Sequence, residues 1–187
     1  MNSFAVFLRG INVGGINIKM ADLKTALKAC PFTGVKTLLA SGNVVLQSKL
    51  DAAGVKEQFE ECLREAFGYD AWVVVLTARR VAELVDACPY PADDKTTHSY
   101  ITLASDTAML DELFDAGAEL GTPGHGGVEQ VRLGPEASAW LAPTGGTLDS
   151  PFSKISSKPR YKASTTTRNL RTLIKVRDAA DALQKEE

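Results

Sequence analysis

The sequence predicts an α+β fold of two ferredoxin-like subdomains, each with an antiparallel sheet, the second of them truncated. Three observations carry this. Short apolar runs and helical periodicities alternate in the order β-α-β-β-α-β over residues 3–76, the order of a ferredoxin-like plait. A linker-like stretch, Pro89-Tyr90-Pro91-Ala92-Asp93-Asp94, follows, and then the pattern restarts. The apolar runs are short, such as residues 71–76, whereas a membrane-spanning helix needs about 20 residues.

Taken in order, residues 3–8 read as a central strand, apolar from Phe4 onward and without helix signals. A glycine-rich loop, residues 9–15, leads to a helix from about Met20, where Asp22 lies in the first turn and suits the helix dipole. Leu23, Ala26, Leu27 and Cys30 recur at helical spacing and Pro31 stops the helix. Residues 35–40 and 43–47 are strands joined through Ser41, Gly42 and Asn43. Residues 51–67 form an amphipathic helix with Val55, Phe59, Cys62, Leu63, Ala66 and Phe67 on one face, ended by Gly68. Residues 71–76 are the fourth strand, and Thr77 caps a helix carrying Val81, Leu84, Val85 and Cys88. The second round reads as a strand at 99–103, a helix at 106–116, strands at 128–133 and 138–142, and a helix from about Thr167 to Leu183. Residues 121–127 and 143–159 read as loops. The division expected is an N-terminal subdomain with its linking helix over 1–91 and a C-terminal subdomain with a basic last helix over 92–187.

Hydrophobic residues make up 44% of the 187, enough for a core without disulfides or structural metal. The N-terminus has no cationic, leader-length apolar stretch, and three cysteines at 30, 62 and 88 have no framework spacing. The expectation is a cytoplasmic chain, off the membrane, with Cys30 and Cys62 as buried, reduced thiols on apolar helix faces.

A net charge of -2 argues against a general nucleic-acid binder, but its distribution is uneven. Residues 1–50 carry +5, residues 51–149 carry -12, residues 150–177 carry +8 with no acid at all, and the last ten carry -3. The basic stretch holds Lys154, Lys158, Arg160, Lys162, Arg168, Arg171, Lys175 and Arg177. One reading is a solvated basic helix docked against the acidic middle of the same chain. The other is an anion site, which Arg9 and Lys19 would join if the last helix packs nearby.

Recognised catalytic motifs are missing. Gly10 and Gly15 have Walker spacing, but Ile16 stands where the lysine belongs, and Gly10, Gly14 and Gly15 do not make a dinucleotide fingerprint. The loop is then either a tight structural turn or an anion nest of backbone amides with Arg9 and Asn12 as donors. His98 and His125 read as surface imidazoles, no histidine–cysteine set has metal spacing, and no cofactor is implied. Trp72 and Trp140 read as core or sheet-face residues. At the start of the last helix, Thr165, Thr166 and Thr167 offer caps. Arg168 there is a poor partner for the helix dipole, a conflict that a bound anion would remove.

The segments Phe7-Leu8-Arg9-Gly10-Ile11-Asn12-Val13-Gly14-Gly15, Lys19-Met20-Ala21-Asp22-Leu23, Ser41-Gly42-Asn43-Val44-Val45 and Thr166-Thr167-Arg168-Asn169 together resemble the bacterial family known as domain of unknown function 1697. The resemblance runs from residue 4 to about residue 180. It implies two ferredoxin-like parts and no established activity. Its signature falls on Arg9, Gly10, Asn12, Gly14, Gly15, Lys19, Met20, Ser41, Gly42, Asn43, Lys154, Arg168 and Asn169; Leu170 departs from it, standing where relatives often have an aromatic. Met20 is a packing residue, whereas Arg9, Asn12, Lys19, Ser41, Asn43, Arg168 and Asn169 are donors with no carboxylate among them, which suits holding an anion better than moving a proton.

Three functions follow as expectations. The first is binding of a phosphate-bearing small molecule or nucleic-acid backbone through Arg9, Asn12, Lys19, Ser41, Asn43, Lys154, Arg168 and Asn169, with Gly10, Gly14, Gly15 and Gly42 as loop backbone. The second is a transferase- or hydrolase-type enzyme that uses the same donors to stabilise a developing anion. The third is a structural module meeting an acidic protein partner. The anion reading also places Arg168 and Asn169 beside the Arg9 loop and the Ser41–Asn43 turn.

Overall fold

The computed structural model describes residues 1–9, 17–68, 70–120, 128–145 and 150–185. The chain divides into two units, residues 1–83 with 174–187, and residues 84–173.

The first unit is built on β1 (Asn2–Arg9), α1 (Met20–Leu27), β2 (Thr33–Leu38), β3 (Asn43–Ser48), α2 (Ala52–Phe67) and β4 (Trp72–Thr77). Its sheet has the order β2-β3-β1-β4, with every neighbouring pair antiparallel. That is the ferredoxin-like arrangement the element order predicts. Alternation along the strands sends Phe4, Val6, Leu8, Val44, Leu46 and Val73 into a core closed by Leu23 and Leu27 of α1 and Val55, Phe59 and Leu63 of α2. The caps follow from local chemistry. Asp51 accepts a hydrogen bond from the Gly54 amide at 2.8 Å and Gly68 ends α2 in the left-handed region at φ 66°. Thr77 Oγ1 accepts from the Arg80 amide at 3.1 Å and so caps α3 (Ala78–Ala87), as expected.

The second unit carries β5 (Thr97–Ala104), α4 (Thr107–Glu119), β6 (Gln130–Gly134), β7 (Ala137–Pro143), the short helices α5 (Pro151–Ser156) and α6 (Pro159–Lys162), and β8 (Thr165–Asn169). Its sheet order, β6-β7-β5-β8, is again fully antiparallel and repeats that of the first unit. The α+β class therefore holds, but the second half is not truncated. The threonine run expected to cap the last helix is instead the fourth strand, and α7 (Leu170–Lys185) begins only after it. The β-branched residues Thr165, Thr166 and Thr167 favour a pleated backbone, and antiparallel pairing with β5 takes up the backbone groups of alternate residues along this edge strand. Part of the stretch expected as loop is helical too: Ser150 Oγ accepts from the Ser153 amide at 3.2 Å, with Pro151 at the first helical position.

Trp140, Phe152, Leu113, Ala142 and Tyr161 form the core of this unit. Gly117 of α4 is required by it, because a Cβ there would come within 2.7 Å of the Phe152 ring. In the first unit, the end of α7 rests on the sheet, where Gln47 Nε2 donates to the Leu183 carbonyl at 3.3 Å.

The cysteine expectation is corrected. Cys30 and Cys62 are half-buried, not buried, and they form a disulfide with Cα atoms 6.5 Å apart. The cause is tertiary: α1 and α2 lie on the same face of one sheet, so cysteines on both inner faces meet. Cys88 remains a free thiol, half-buried, and burial raises its pKa.

Candidate functional site

Of the described signature residues in the first unit, Arg9, Ser41, Gly42 and Asn43 lie where β1 ends and β3 begins, while Lys19 and Met20 stand at the start of α1. Arg9 is the last residue of β1, half-buried, and burial lowers its pKa from the ordinary value. It directly precedes the glycine-rich segment; Gly10, Asn12, Gly14 and Gly15 lie outside the described residues. Two positions back in β1, Phe7 is paired with Asn43, the first residue of β3, so Arg9 and the β2–β3 turn share one end of the sheet.

That turn is held from within. Asn43 is fully buried, and its Nδ2 donates to the Leu38 carbonyl at 2.9 Å and to Ser41 Oγ at 3.1 Å. The Gly42 carbonyl accepts from the Leu8 amide at 2.8 Å, with Gly42 at φ 75°. Leu39 takes φ 58°, a left-handed conformation that costs a non-glycine residue about 1–3 kcal/mol. The Asn43 amide bridges both sides of Leu39 and holds it there. Asn43 is therefore the clamp of the turn, and Leu39, Ala40 and Ser41 are its exposed members. Lys19, also exposed, precedes α1 and makes no side-chain cap, while its carbonyl accepts from the Leu23 amide at 3.0 Å.

Trp72 was not among the expected site residues. It pairs with Arg9 in register and is 46% exposed at the start of edge strand β4. Its place inside an apolar run, residues 71–76, makes it look like core; only its position at the strand end exposes it.

The other expected residues belong to the second unit. Arg168 lies on β8, 7% exposed, and its guanidinium donates to Thr166 Oγ1 at 2.6 Å and to the Thr167 carbonyl at 2.9 Å. Asn169 Oδ1 accepts from the Arg171 amide at 2.9 Å, which makes it the cap of α7. Arg168 thus precedes the cap on a strand, and the dipole conflict expected at that helix start does not arise. Lys154 is exposed on α5. The expected meeting of Arg168 and Asn169 with the Arg9 segment joins residues of two units and falls partly on residues 10–16, outside the described residues.

Arg160 and Arg171 of the basic stretch have acidic partners from the middle of the chain. Arg160 pairs with Glu112 and lies over the Tyr161 ring at 5.2 Å, and Arg171 pairs with Asp93 at 3.7 Å. Such exposed pairs contribute about 0–1 kcal/mol each, but they answer part of the +8 internally. Arg160 makes its pair from α6 and Arg171 from the first turn of α7.

The chemistry of proton transfer finds little here. Among the described residues no three metal-capable side chains cluster. Asp94 is held at a pKa of about 2 by hydrogen bonds from the Thr96 hydroxyl and amide and the Thr97 amide; it shapes the entry to β5. His98 meets the Tyr100 ring edge-on at 6.4 Å, and His125 lies outside the described residues. No helix among the described residues is long and apolar enough to cross a membrane.

Comparison with known proteins agrees with the fold. A solved structure described as the conserved bacterial protein SP0830 from Streptococcus pneumoniae matches with a TM-score of 0.74 at 19% identity, over 96% of this chain and 98% of that one. At that identity the likeness speaks for the fold alone. An unknown protein from Galdieria sulphuraria is matched at a TM-score of 0.25 and 11% identity, over 99% of this chain and 92% of that one, and carries no argument. No curated protein matches. The family described as "Protein of unknown function (DUF1697)" matches residues 1–133, which is most of the 187, and together with the four motifs this means that the chain belongs to that family.

Proposed function

We propose that the chain binds a phosphate-bearing anion at the Arg9 end of its first sheet. The observation that supports this most is Arg9 itself, a half-buried cation at the end of a central strand, immediately before a segment rich in glycine. A desolvated guanidinium gains more from an anion than an exposed one does. Lys19 and Ser41 are exposed donors from the same unit, and glycine amides next to Arg9 suit phosphate oxygens. Asn43 contributes by fixing the turn that presents Ser41. Arg168, Asn169 and Lys154 belong to the second unit, and the site proposed at the end of β1 does not draw on them.

Trp72 favours a narrower version of this reading. An exposed indole in register with Arg9 offers a stacking face for a nucleobase beside a cation for its phosphate.

Calorimetric titration with inorganic pyrophosphate, a nucleoside triphosphate and a single-stranded oligonucleotide tests both. Binding is expected to weaken with salt, and Arg9→Ala to cost about 1.5–3 kcal/mol, or roughly 10- to 150-fold in affinity. Trp72→Ala is expected to weaken the nucleotide and oligonucleotide but not pyrophosphate. If none of the three binds the wild type, the anion reading fails. If Trp72→Ala changes nothing, only the nucleobase version fails.

A further inference from the structure

On the first unit, a groove of about 660 Å³ opens beside Cys30, lined also by Phe32, Thr33, Lys49, Leu50 and Gln58. Its size falls within the usual range for small-molecule sites. Phe32 forms part of the core and Leu50 is partly exposed, so the wall is largely apolar, and Met1 and Lys49 bring cationic residues to it. Cys30 follows α1, and its disulfide partner Cys62 sits on α2 and does not line the groove. Both are half-buried, in contrast to the sealed disulfides that resist exchange.

We propose that Cys30–Cys62 is an exchangeable disulfide, and that the groove admits a carboxylate-bearing low-molecular-weight thiol to Cys30. Lys49 selects the acidic thiol by charge, and the lining directs it to the Cys30 sulfur rather than to Cys62. The step balances. The incoming thiolate forms a bond to Cys30 Sγ as the Cys30–Cys62 bond breaks, and the electron pair leaves on Cys62 Sγ, which takes up a proton. A second thiolate then attacks the external sulfur of the mixed disulfide, releasing the small-molecule disulfide and the Cys30 thiolate, which is protonated in turn. Two thiols are oxidised and two cysteines reduced; the reverse sequence restores the bond.

Glutathione is the probe. The full-length native protein is incubated in glutathione buffers of varied redox ratio without denaturant, quenched in acid, alkylated and mapped by mass spectrometry. The expected result is reversible conversion between disulfide and dithiol, with Cys62 the first thiol to become alkylatable. In Cys62→Ser, one glutathione should accumulate on Cys30, at least tenfold faster than on Cys62 in Cys30→Ser. Cys88, in the other unit, reports non-specific capture. A disulfide that stays closed in native protein at every ratio would overturn the proposal, as would release of the Cys30 thiol first. The order of release is read on wild type, so the test stands even if a variant does not fold.

Discussion

Replacing Trp140 with alanine is expected to lower the unfolding free energy by about 3–5 kcal/mol, the range for removing a large buried aromatic. The side chain is 2% exposed and stacks on Tyr100 at 4.8 Å, with Phe152 tilted against it at the same centroid distance. Its indole N–H donates to Thr102 Oγ1 at 3.1 Å, and Thr102 Oγ1 lies 2.9 Å from Thr167 Oγ1. One side chain therefore links β7, β5 and β8 as well as the helices above them. Trp140→Ala leaves a cavity and takes one partner from a buried hydroxyl. Trp140→Phe keeps most of the packing and loses the hydrogen bond, so it should cost less. Denaturant unfolding of both variants checks this; a loss below about 1 kcal/mol for Trp140→Ala would mean that the unit is not organised around this residue.

The second large effect is expected from the disulfide. Cys30 and Cys62 are 32 residues apart in sequence, and closing a loop of that length should stabilise the fold by about 3–4 kcal/mol through the entropy of the unfolded chain. The double variant Cys30→Ser/Cys62→Ser should lose that amount under oxidising conditions. With a reductant present, wild type should fall to nearly the same stability, because serine differs little from a free thiol at these half-buried positions. A gap between the two that persists under reduction would assign the loss to packing rather than to the cross-link.

The first unit was largely legible because its signals agree with one another. Val55, Phe59 and Leu63 share a helical face, Asp51 and Gly68 mark its ends, and Phe4, Val6 and Leu8 alternate on a strand. The second unit was harder at one point for a physical reason. A threonine run followed by an asparagine serves equally as strand or as helix cap, and only pairing with β5 decides it. The disulfide was illegible because spacing along the chain says nothing of two helices crossing one sheet face. At the candidate site, residue types were readable but their duties were not. Asn43 carries the amide expected of a ligand donor yet spends its Nδ2 on a turn, and Asn169 uses its Oδ1 as the acceptor that caps a helix. Trp72 reads as a core or sheet-face residue because an apolar run hides which of its members stands at the strand end.

The most direct test of the anion site is residue-resolved. Nitrogen-15 spectra of the protein titrated with a nucleoside triphosphate should show saturable shifts of the Arg9, Lys19, Ser41 and Gly42 amides, the Gly10, Gly14 and Gly15 amides, and the Trp72 indole. The shifts should be lost in Arg9→Ala, which leaves the remaining spectrum in place. Shifts confined to exposed lysines such as Lys154, or no saturable shift at all, would contradict a site at the end of β1.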